Sequence, residues 1–368
     1  MTEYLATSYY CLYKTDKNSQ ELQHQSKKEP KEKDALWAEF QWTEDKLNEV
    51  KETLSNNELQ SSIHSNHHSG RGQYMIDKLE KEAHLNWDRF YTSHQTNFFK
   101  DRHYLHKTFP DEFGCVYGNV AEEVGSKVDG DIDNTHGGKK IGAVTVEEMN
   151  NVEPFTIVEI GCGVGNTVLP LLELDPIMSV NDKNGEPDKR KICVWGLDFS
   201  KVAVDLLRKD ERYIQAEGSG RAFSGVWDIT KSHPTEIHSS LHKCSNVSLL
   251  LFCLSAVSPE KMPNAAKHVA ATIKPGGTLV LRDYGRLDEA QLKLSSSRGK
   301  MLSENFYVKH DSTRVYYFDL NDLEKLFGKE GAGLECIEKK YIQRVYKNRS
   351  DNSERRRVWV QARFRKPI

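Results

Sequence analysis

The chain has 368 residues, enough for one large domain with additions or for two modest domains. Its formal net charge is −2, which excludes an overall polycation, so any nucleic-acid surface must be a local patch. No apolar run approaches membrane-spanning length, and we expect neither a signal peptide nor a transit peptide at the N-terminus. The seven cysteines include no C-x-x-C pair, so we predict reduced core residues and a cytoplasmic location, with the nucleus as a second location.

Residues 1–73 are predicted to form a largely disordered N-terminal extension. Ser55–Gln73 is rich in Ser, Asn and His, a composition that does not bury a core. Residues 35–54 carry spaced apolar and aromatic side chains and are predicted to be a short amphipathic or docking segment. His64, His67 and His68 have no Cys or acidic partner nearby, so we predict a solvated segment and no metal site there.

An aromatic and basic segment, residues 74–113, is predicted to be a cap or lid that also binds RNA. Trp87 and Tyr91 stand four residues apart and share one face of a helix, an arrangement that on its own is more often core. The dense mixture of aromatic and charged side chains at residues 96–104 suits a lid over a cofactor or a substrate base. Residues 114–151 are rich in turn-forming residues and are predicted to be a loop insertion.

The most informative motif is a glycine-rich turn at Gly161, Gly163 and Gly165, which follows a β-branched run ending in Glu159. The pattern predicts a buried parallel strand, a tight turn whose backbone a ligand can approach, and then a helix. The nicotinamide fingerprint would place its third glycine where this chain has Asn166, whereas S-adenosylmethionine enzymes use the spacing E-x-G-x-G-x-G. For this motif alone, a glycine-rich turn without a ligand is the alternative.

From residue 152 to residue 368 strands and helices alternate, which predicts a doubly wound α/β domain. The second strand ends in Asp198, where a carboxylate can accept hydrogen bonds from ribose hydroxyls. The third ends before Asp228 and Ile229, which suit an adenine amino group and ring. One acid after a strand is usually a cap, but two acids and three glycines in this order at one sheet edge predict a methyl-donor site.

The rest of the domain is predicted from apolar and alternating patterns. Residues 247–254 and 278–281 are the fourth and fifth strands, and the insertion at residues 175–189 is expected to loop out at the surface. Residues 334–346 and 356–364 alternate as two strands around a polar turn. An antiparallel hairpin on a parallel core is typical of class I S-adenosylmethionine-dependent methyltransferases, so we predict this α/β, Rossmann-like fold with an N-terminal helical and aromatic cap.

Positive charge is concentrated in the predicted hairpin. Residues 339–366 contain eleven Lys or Arg and two acids, a local net charge of +9 in a chain that is otherwise acidic. A charge run is usually a solvated face, but here aromatic side chains are interleaved with it, as they are in RNA-binding surfaces. We therefore predict that the hairpin contacts RNA.

Several motifs together resemble the eukaryotic tRNA N3-methylcytidine methyltransferases, which modify a cytidine of the anticodon loop. The resemblance covers residues 74–367, almost without gaps in motif order. Its motifs are Asn86-Trp87, Phe90-Tyr91, Asn97-Phe-Phe-Lys-Asp-Arg-His103, Gly161–Asn166, Asp198-Phe-Ser200, Leu254-Ser-Ala-Val257, Arg282-Asp-Tyr-Gly285, Asn305–Val308 and Thr313–Tyr316. Residues 40–42, 282–286 and 356–361 look most like the branch that acts on threonine tRNAs, while the insertions depart from the family pattern.

The resemblance implies S-adenosylmethionine as the cofactor and the cytidine at position 32 of tRNA as the target, in threonine tRNAs first and serine tRNAs second. It leaves open whether an aminoacyl-tRNA synthetase or another accessory protein takes part, and it implies no membrane partner. The expected cofactor-binding residues are Trp87, Tyr91, Gly161, Gly163, Asp198, Asp228, Ile229 and Leu251. The expected substrate-binding residues are Phe98, Phe99, Lys100, Arg102, Arg282, Tyr284, Arg355, Arg356 and Arg357.

The chemistry of the target base suggests where catalysis would come from. N3 of neutral cytosine carries a lone pair and no proton, so methylation needs orientation and no general base. The product is cationic, and a carboxylate beside the ring would stabilise the charge that develops in the transition state. Asp283 and Asp101 are the candidate catalytic residues. The alternative for Asp283 is that it only orders the turn after the fifth strand.

Other functions compete with this one. A methyltransferase acting on another RNA, a protein or a small molecule would share the sheet without needing the basic hairpin. A non-catalytic RNA-binding subunit would be expected to have lost some of the glycines or strand-end acids, all of which this chain has.

Overall fold

The computed structural model describes residues 37–39, 41–66, 69–117, 153–174, 177–181, 187–347 and 354–368. Residues 1–36 of the N-terminal extension and residues 118–151 of the expected loop insertion lie outside these ranges. In the described part of the chain, the helices that precede the parallel strands of the main sheet are α1 (Glu44–Asn66), α2 (Ser69–Lys81), α3 (Ala83–His94), α4 (Leu105–Thr108) and α5 (Pro110–Tyr117). Those that follow are α6 (Val168–Leu172), α7 (Lys201–Leu207), α8 (Glu211–Gly218), α9 (Pro234–Ile237), α10 (Met262–Thr272), α11 (Glu289–Ser295) and α12 (Leu320–Phe327).

Five parallel strands form the centre of one mixed sheet, in the order β5-β4-β2-β6-β7. These are β2 (Phe155–Ile160), β4 (Pro187–Asp198), β5 (Ala222–Val226), β6 (Ser245–Leu251) and β7 (Ile273–Tyr284). Beyond β7 the sheet continues antiparallel, through β12 (Glu354–Arg365), β11 (Glu335–Lys347) and β1 (Trp37–Glu39). This topology confirms the predicted Rossmann-like parallel core with a terminal antiparallel hairpin.

The central parallel strands of the sheet are buried on both faces, which explains their nearly continuous apolar sequences. In β2, Ile157 belongs to the core on one face, while Val158 and Ile160 belong to the core on the other. Helices α10 and α12 cover the second face, and α4, α5, α6 and α8 cover the first. The carboxyl ends of the parallel strands therefore meet at one edge, where their terminal residues can form a site.

The expectation of disorder across residues 55–73 is wrong for the part that the structure describes. Residues 55–66 continue α1, and α2 begins at Ser69. The helix α1 buries Leu54, and its Glu58 accepts a 2.6 Å hydrogen bond from the hydroxyl of Tyr307. Asn57 also donates to Ser295 at 3.1 Å. Such contacts with distant residues stabilise a helix whose own composition is polar.

Two further expectations need correction. The insertion at residues 175–189 does not simply loop out, because β3 (Ile177–Asn181) pairs antiparallel with the first part of β4. The helix α5 runs to Tyr117 and so takes the first residues of the expected 114–151 loop. A separate three-stranded sheet, β8 (Met301–Ser303), β9 (Phe306–Val308) and β10 (Arg314–Tyr316), was not predicted.

Candidate active site

The glycine-rich turn packs closely against two other elements. Gly161 and Gly163 both have positive φ, +75° and +55°. A Cβ at position 161 would lie 2.4 Å from the Sγ atom of Cys253, and one at position 163 would lie 2.6 Å from the hydroxyl oxygen of Tyr91. Only glycine fits these positions, since any side chain would clash and strain the backbone. The turn is therefore held between the end of β6 and the helix α3.

Asp198, the last residue of β4, joins the second strand end to this turn. One carboxylate oxygen accepts a 2.7 Å hydrogen bond from the amide of Gly163, and the other accepts a 2.8 Å bond from the amide of Ser200. The residue is 8% exposed. Burial raises the pKa of Asp198 to about 6, against the opposing effect of the backbone donors. At neutral pH its carboxylate is available to accept further hydrogen bonds.

A small cleft of about 470 Å³ lies over the carboxyl edge of the sheet. Helices α2 and α3 cover it, and the expected cofactor residues that line it are Trp87, Tyr91, Gly161, Asp198, Asp228 and Ile229. Burial raises the pKa of Asp228, but hydrogen bonds from Thr230 and Lys231 outweigh it and hold that pKa below its ordinary value. The cleft thus combines a close-approach backbone, two strand-end carboxylates and an apolar side chain, a set that fits a nucleoside.

A large cavity of about 1520 Å³ adjoins the small cleft. Its lining is strongly basic, with twelve Lys or Arg against two acids, Glu289 and Asp311. The basic residues are Lys100, Arg102, Lys107, Arg282, Lys293, Lys300, Lys309, Arg314, Lys340, Arg344, Arg355 and Arg357. The residues that line both spaces are Trp87, Tyr91, Gly161, Phe252, Ala256 and Arg314. The two spaces therefore share a wall at the end of β6.

Comparison with known proteins identifies the family. A methyltransferase-domain model matches residues 140–339. The tRNA N(3)-cytidine methyltransferase METTL2 of Xenopus tropicalis is 33% identical over 342 residues, covering 90% of this chain and 89% of its own length. The same-named protein of Danio rerio is 36% identical, covering 79% of this chain and 76% of its own. The chain belongs to the METTL2 family of tRNA N(3)-cytidine methyltransferases.

Membership in the METTL2 family makes the protein a class I methyltransferase with S-adenosylmethionine as the methyl donor. The donor fits the small cleft, because the backbone of the glycine turn reaches the cleft at Gly161 and the strand-end carboxylates of Asp198 and Asp228 lie at the cleft wall. Another relative, the O-methyltransferase 3 of Dictyostelium discoideum, is 32% identical and covers 77% of this chain and 70% of its own. A solved S-adenosylmethionine-dependent methyltransferase from Methanosarcina mazei matches 61% of this chain at 18% identity and a TM-score of 0.40.

Two expected cofactor residues of this METTL2-family chain line the large cavity instead of the small cleft. They are Gly163 and Leu251, and both lie next to the shared wall. Within the described residues, no helix is long and apolar enough to cross a membrane. Among those same residues, no group of three or more His, Cys, Asp or Glu could hold a metal ion.

Most of the expected substrate residues line the large cavity of this METTL2-family protein, but two also make structural ion pairs. Arg102 donates to Thr167 at 2.9 Å and lies 3.4 Å from Glu159, while Arg357 lies 2.8 Å from Asp288. Both carboxylate side chains are fully buried. A buried carboxylate needs such a partner, so these two arginines hold the fold as well as lining the cavity. Those that line the cavity are Phe98, Phe99, Lys100, Arg102, Arg282, Tyr284, Arg355 and Arg357.

Arg356 is the expected substrate residue that the cavity lining does not include. Its guanidinium lies 5.7 Å from the ring centroid of Trp42 and 3.1 Å from the carboxylate of Glu354. Its backbone amide donates to Glu289. Since alternate residues of a strand point to opposite faces, Arg356 points away from its cavity-lining neighbours.

Neither candidate catalytic carboxylate lines the two spaces. Asp283 is fully buried and accepts 2.9 Å hydrogen bonds from the amides of Ser255 and Tyr284. Asp101 accepts from Asn166 at 3.1 Å and pairs with Arg212 at 3.0 Å. Both carboxylates are therefore directed at protein groups, and this geometry supports positioning roles for them in the METTL2 fold.

Sequence reasoning missed a polar cluster that holds the helix α2 over the small cleft. The carboxylate of Glu80 pairs with Lys261 and Arg314 and accepts a hydrogen bond from Ser258. Burial raises the pKa of Glu80, but these donors outweigh it and lower that pKa to about 2. The motif around Arg314 was recognised by resemblance, but its pairing with a residue 234 positions earlier has no local sequence pattern.

Proposed function

We propose that this protein methylates N3 of a cytidine in tRNA, at position 32 of the anticodon loop, in threonine tRNAs and also in serine tRNAs. The names of the METTL2 relatives support the N3 position and the tRNA substrate. The position in the loop and the choice of tRNAs rest on the motifs that resemble the family. The protein would act in the cytoplasm.

One observation carries the proposal: the donor cleft and a basic cavity share a wall. The donor is small and needs only the cleft of about 470 Å³, whereas the adjoining space is about three times larger and lined by twelve Lys or Arg. Lys and Arg side chains at this density suit a phosphate backbone. A base that reaches the shared wall would meet the methyl group while its own backbone stays in the basic cavity.

The mechanism requires positioning rather than proton transfer. When bound in the small cleft, S-adenosylmethionine supplies a methyl group on a positively charged sulfonium. Asp198 would accept hydrogen bonds from ribose hydroxyls, and Asp228 with Ile229 would bind the adenine. The shared wall would hold N3 of cytosine in line with the methyl group, and such orientation can supply much of the rate enhancement. An anticodon loop is single-stranded, which lowers the cost of presenting one base.

The basic cavity and the shared wall also argue against other kinds of methyl acceptor. A small-molecule acceptor would not need a basic cavity of this size, and the O-methyltransferase name of one relative points to a hydroxyl acceptor. A hydroxyl must lose a proton on methylation, so O-methylation calls for a general base at the shared wall. The two candidate catalytic carboxylates, Asp283 and Asp101, accept hydrogen bonds from backbone and side-chain donors of the protein.

Reverse transcription of reacted tRNA tests the proposal, because a methyl group on N3 blocks base pairing. Unmodified threonine and serine tRNA transcripts are incubated with the protein and the donor, with and without the cognate aminoacyl-tRNA synthetase. We expect a strong stop at position 32 that disappears when this cytidine is replaced by uridine. A stop elsewhere would overturn the position, and a stop that depends on the synthetase would identify an accessory partner.

A further inference from the structure

Phe252 is a residue with an unusual backbone at the wall between the two spaces. It directly follows β6 and has a φ of +56°, the left-handed region that a bulky residue rarely adopts. Its side chain lines both the small cleft and the large cavity. Strained backbone of this kind persists only where its surroundings enforce it, and it is concentrated at functional sites.

The surroundings of Phe252 do enforce this conformation. Its backbone amide donates a 2.7 Å hydrogen bond to the carbonyl of Arg282, and this bond fixes the backbone on the N-terminal side of Phe252 to β7. The next residue, Cys253, packs so closely on Gly161 that no Cβ fits between them. Two residues further on, the amide of Ser255 is held by Asp283. Three neighbouring strand ends therefore fix the place of one aromatic side chain.

The Phe252 ring lies in a cluster of aromatic and cationic groups. Its centroid is 5.2 Å from that of Tyr284 and 5.8 Å from that of Trp359, and the guanidinium of Arg102 lies 5.9 Å away. Tyr284 and Trp359 line the large cavity but not the small cleft. Phe252 is thus the member of this cluster that reaches the donor side.

A packing role alone does not account for Phe252. The preceding residue, Leu251, is 3% exposed and belongs to the core, whereas Phe252 is only partly buried. A core residue would gain by being fully buried and would not need a strained backbone. A flat apolar ring that is kept partly open beside a basic cavity is the kind of surface on which nucleic-acid bases stack.

We propose that Phe252 is the stacking surface for the base that receives the methyl group, and that its strained backbone holds this base at the donor. The inference rests on the proposed function, because it assigns a binding residue for the target pyrimidine. It also gives Asp283 a role: by holding Ser255, Asp283 positions the segment that carries Phe252.

Substitution of Phe252 separates stacking from packing. Phe252→Leu keeps an apolar side chain and removes the ring, so single-turnover methylation at saturating donor and RNA should slow by about 5- to 150-fold. Phe252→Tyr keeps the ring and should slow the reaction much less than Phe252→Leu does. Donor affinity, measured by calorimetry, should be unchanged in both variants. Phe223→Leu, at a ring outside both spaces that stacks on Trp195, is the matched control and should not change the rate.

Three results would overturn the inference. One is a wild-type rate in folded Phe252→Leu, and another is a loss of donor affinity equal to the loss of rate, which would assign Phe252 to the donor. The third result would come from a photocrosslinking experiment on the wild-type protein, which does not depend on the folding of a variant.

In that experiment a stem-loop with 5-iodocytidine at the target position is photocrosslinked to the wild type, and we expect the crosslink to map to Phe252. A crosslink to Tyr284 or Trp359 instead would contradict the assignment of Phe252. If the wild type methylates no tRNA, the proposed function fails before any variant is tested.

Discussion

The carboxylate of Asp283 accepts a hydrogen bond of 2.9 Å from the backbone amide of Ser255. Asp283 lies near the end of β7 and Ser255 lies just after β6, so the bond joins two neighbouring strand ends where the two cavities meet. The carboxylate is fully buried, and desolvation raises the pKa of Asp283 to about 6, against the effect of hydrogen bonds from Ser255. At neutral pH the buried charge is therefore stabilised mainly by these protein donors.

Asp283→Asn should destabilise the protein and slow methylation together. The amide keeps one acceptor oxygen but turns an NH₂ group toward a backbone donor, and a hydrogen bond to a charged group contributes about 1.5–3 kcal/mol. We expect the free energy of unfolding in urea to fall by about this amount. Asp205→Asn, outside both cavities, is the control and should change neither quantity. An unchanged free energy of unfolding with a rate lowered a hundredfold or more would instead restore a direct electrostatic role in catalysis.

Asp198→Ala should weaken binding of S-adenosylmethionine by about ten- to a hundredfold, because the ribose hydroxyls lose a charged acceptor. Calorimetry on the folded variant measures the affinity. Affinity in the wild type should also weaken as the pH falls through 6, since the pKa of Asp198 is raised to about 6 and the protonated group is a poorer acceptor. A folded variant that binds the donor as tightly as the wild type would remove Asp198 from the site.

Glu159 should make stability depend on pH. Burial raises its pKa from 4.5 to about 7, an effect that the charge of Arg102 opposes. The folded state therefore binds the proton more tightly than the unfolded state. The stabilising contribution of Glu159 is fully present below pH 4.5 and is lost as the pH rises through 7.

Urea unfolding of Glu159→Gln across this pH range checks the effect. Relative to the variant, the wild type should lose up to about 1.4 kcal/mol per pH unit between these two pKa values. Glu211→Gln, at an exposed helix position, is the matched control and should follow the wild type. Parallel pH profiles of the wild type and Glu159→Gln would show that Glu159 is ionised throughout.

Two arginines of β12 should have different roles, one in tRNA binding and the other in the stability of the fold. Arg355→Glu should weaken tRNA binding and lower the slope of log affinity against log salt by about one or more, because Arg355 lines the basic cavity. Arg357→Glu should instead unfold or strongly destabilise the protein, since it leaves the buried Asp288 without its cation at a cost of about 3–5 kcal/mol.

Filter binding over a range of salt and urea unfolding provide the two measurements. Lys329→Glu, an exposed lysine outside the cavity, controls for charge reversal in general and should change the salt slope little. Equal effects of Arg355→Glu and Lys329→Glu on tRNA affinity would mean that the basic cavity is only a solvated face.

The sequence allowed the parallel core and its strand-end residues to be predicted, because glycine spacing and apolar runs are local patterns. Gly161 and Asp198 lie in the cleft where these patterns placed them. The helix α1 was missed because its stability depends on partners such as Tyr307, 249 positions from Glu58. The local charge pattern predicted that Arg357 binds the substrate, but it could not reveal that Arg357 pairs with the buried carboxylate of Asp288.

Phe252 shows a further limit of sequence reasoning. An apolar residue at the end of an apolar run is predicted to belong to the core, and nothing in the local pattern predicts a positive φ for phenylalanine. Its conformation results from three strand ends that meet only in the folded sheet, where Gly161 and Asp283 hold the residues that follow it.

Nucleoside mass spectrometry shows directly whether this protein methylates N3 of cytidine in tRNA. Threonine and serine tRNAs are incubated with S-adenosylmethionine, with and without the purified protein, and digested, and the monomethylated cytidines are separated against standards. We expect N3-methylcytidine to form only when the protein is present. If N3-methylcytidine is absent, or if methyl groups are found only on ribose oxygens, the protein is not an N3-cytidine methyltransferase for these tRNAs.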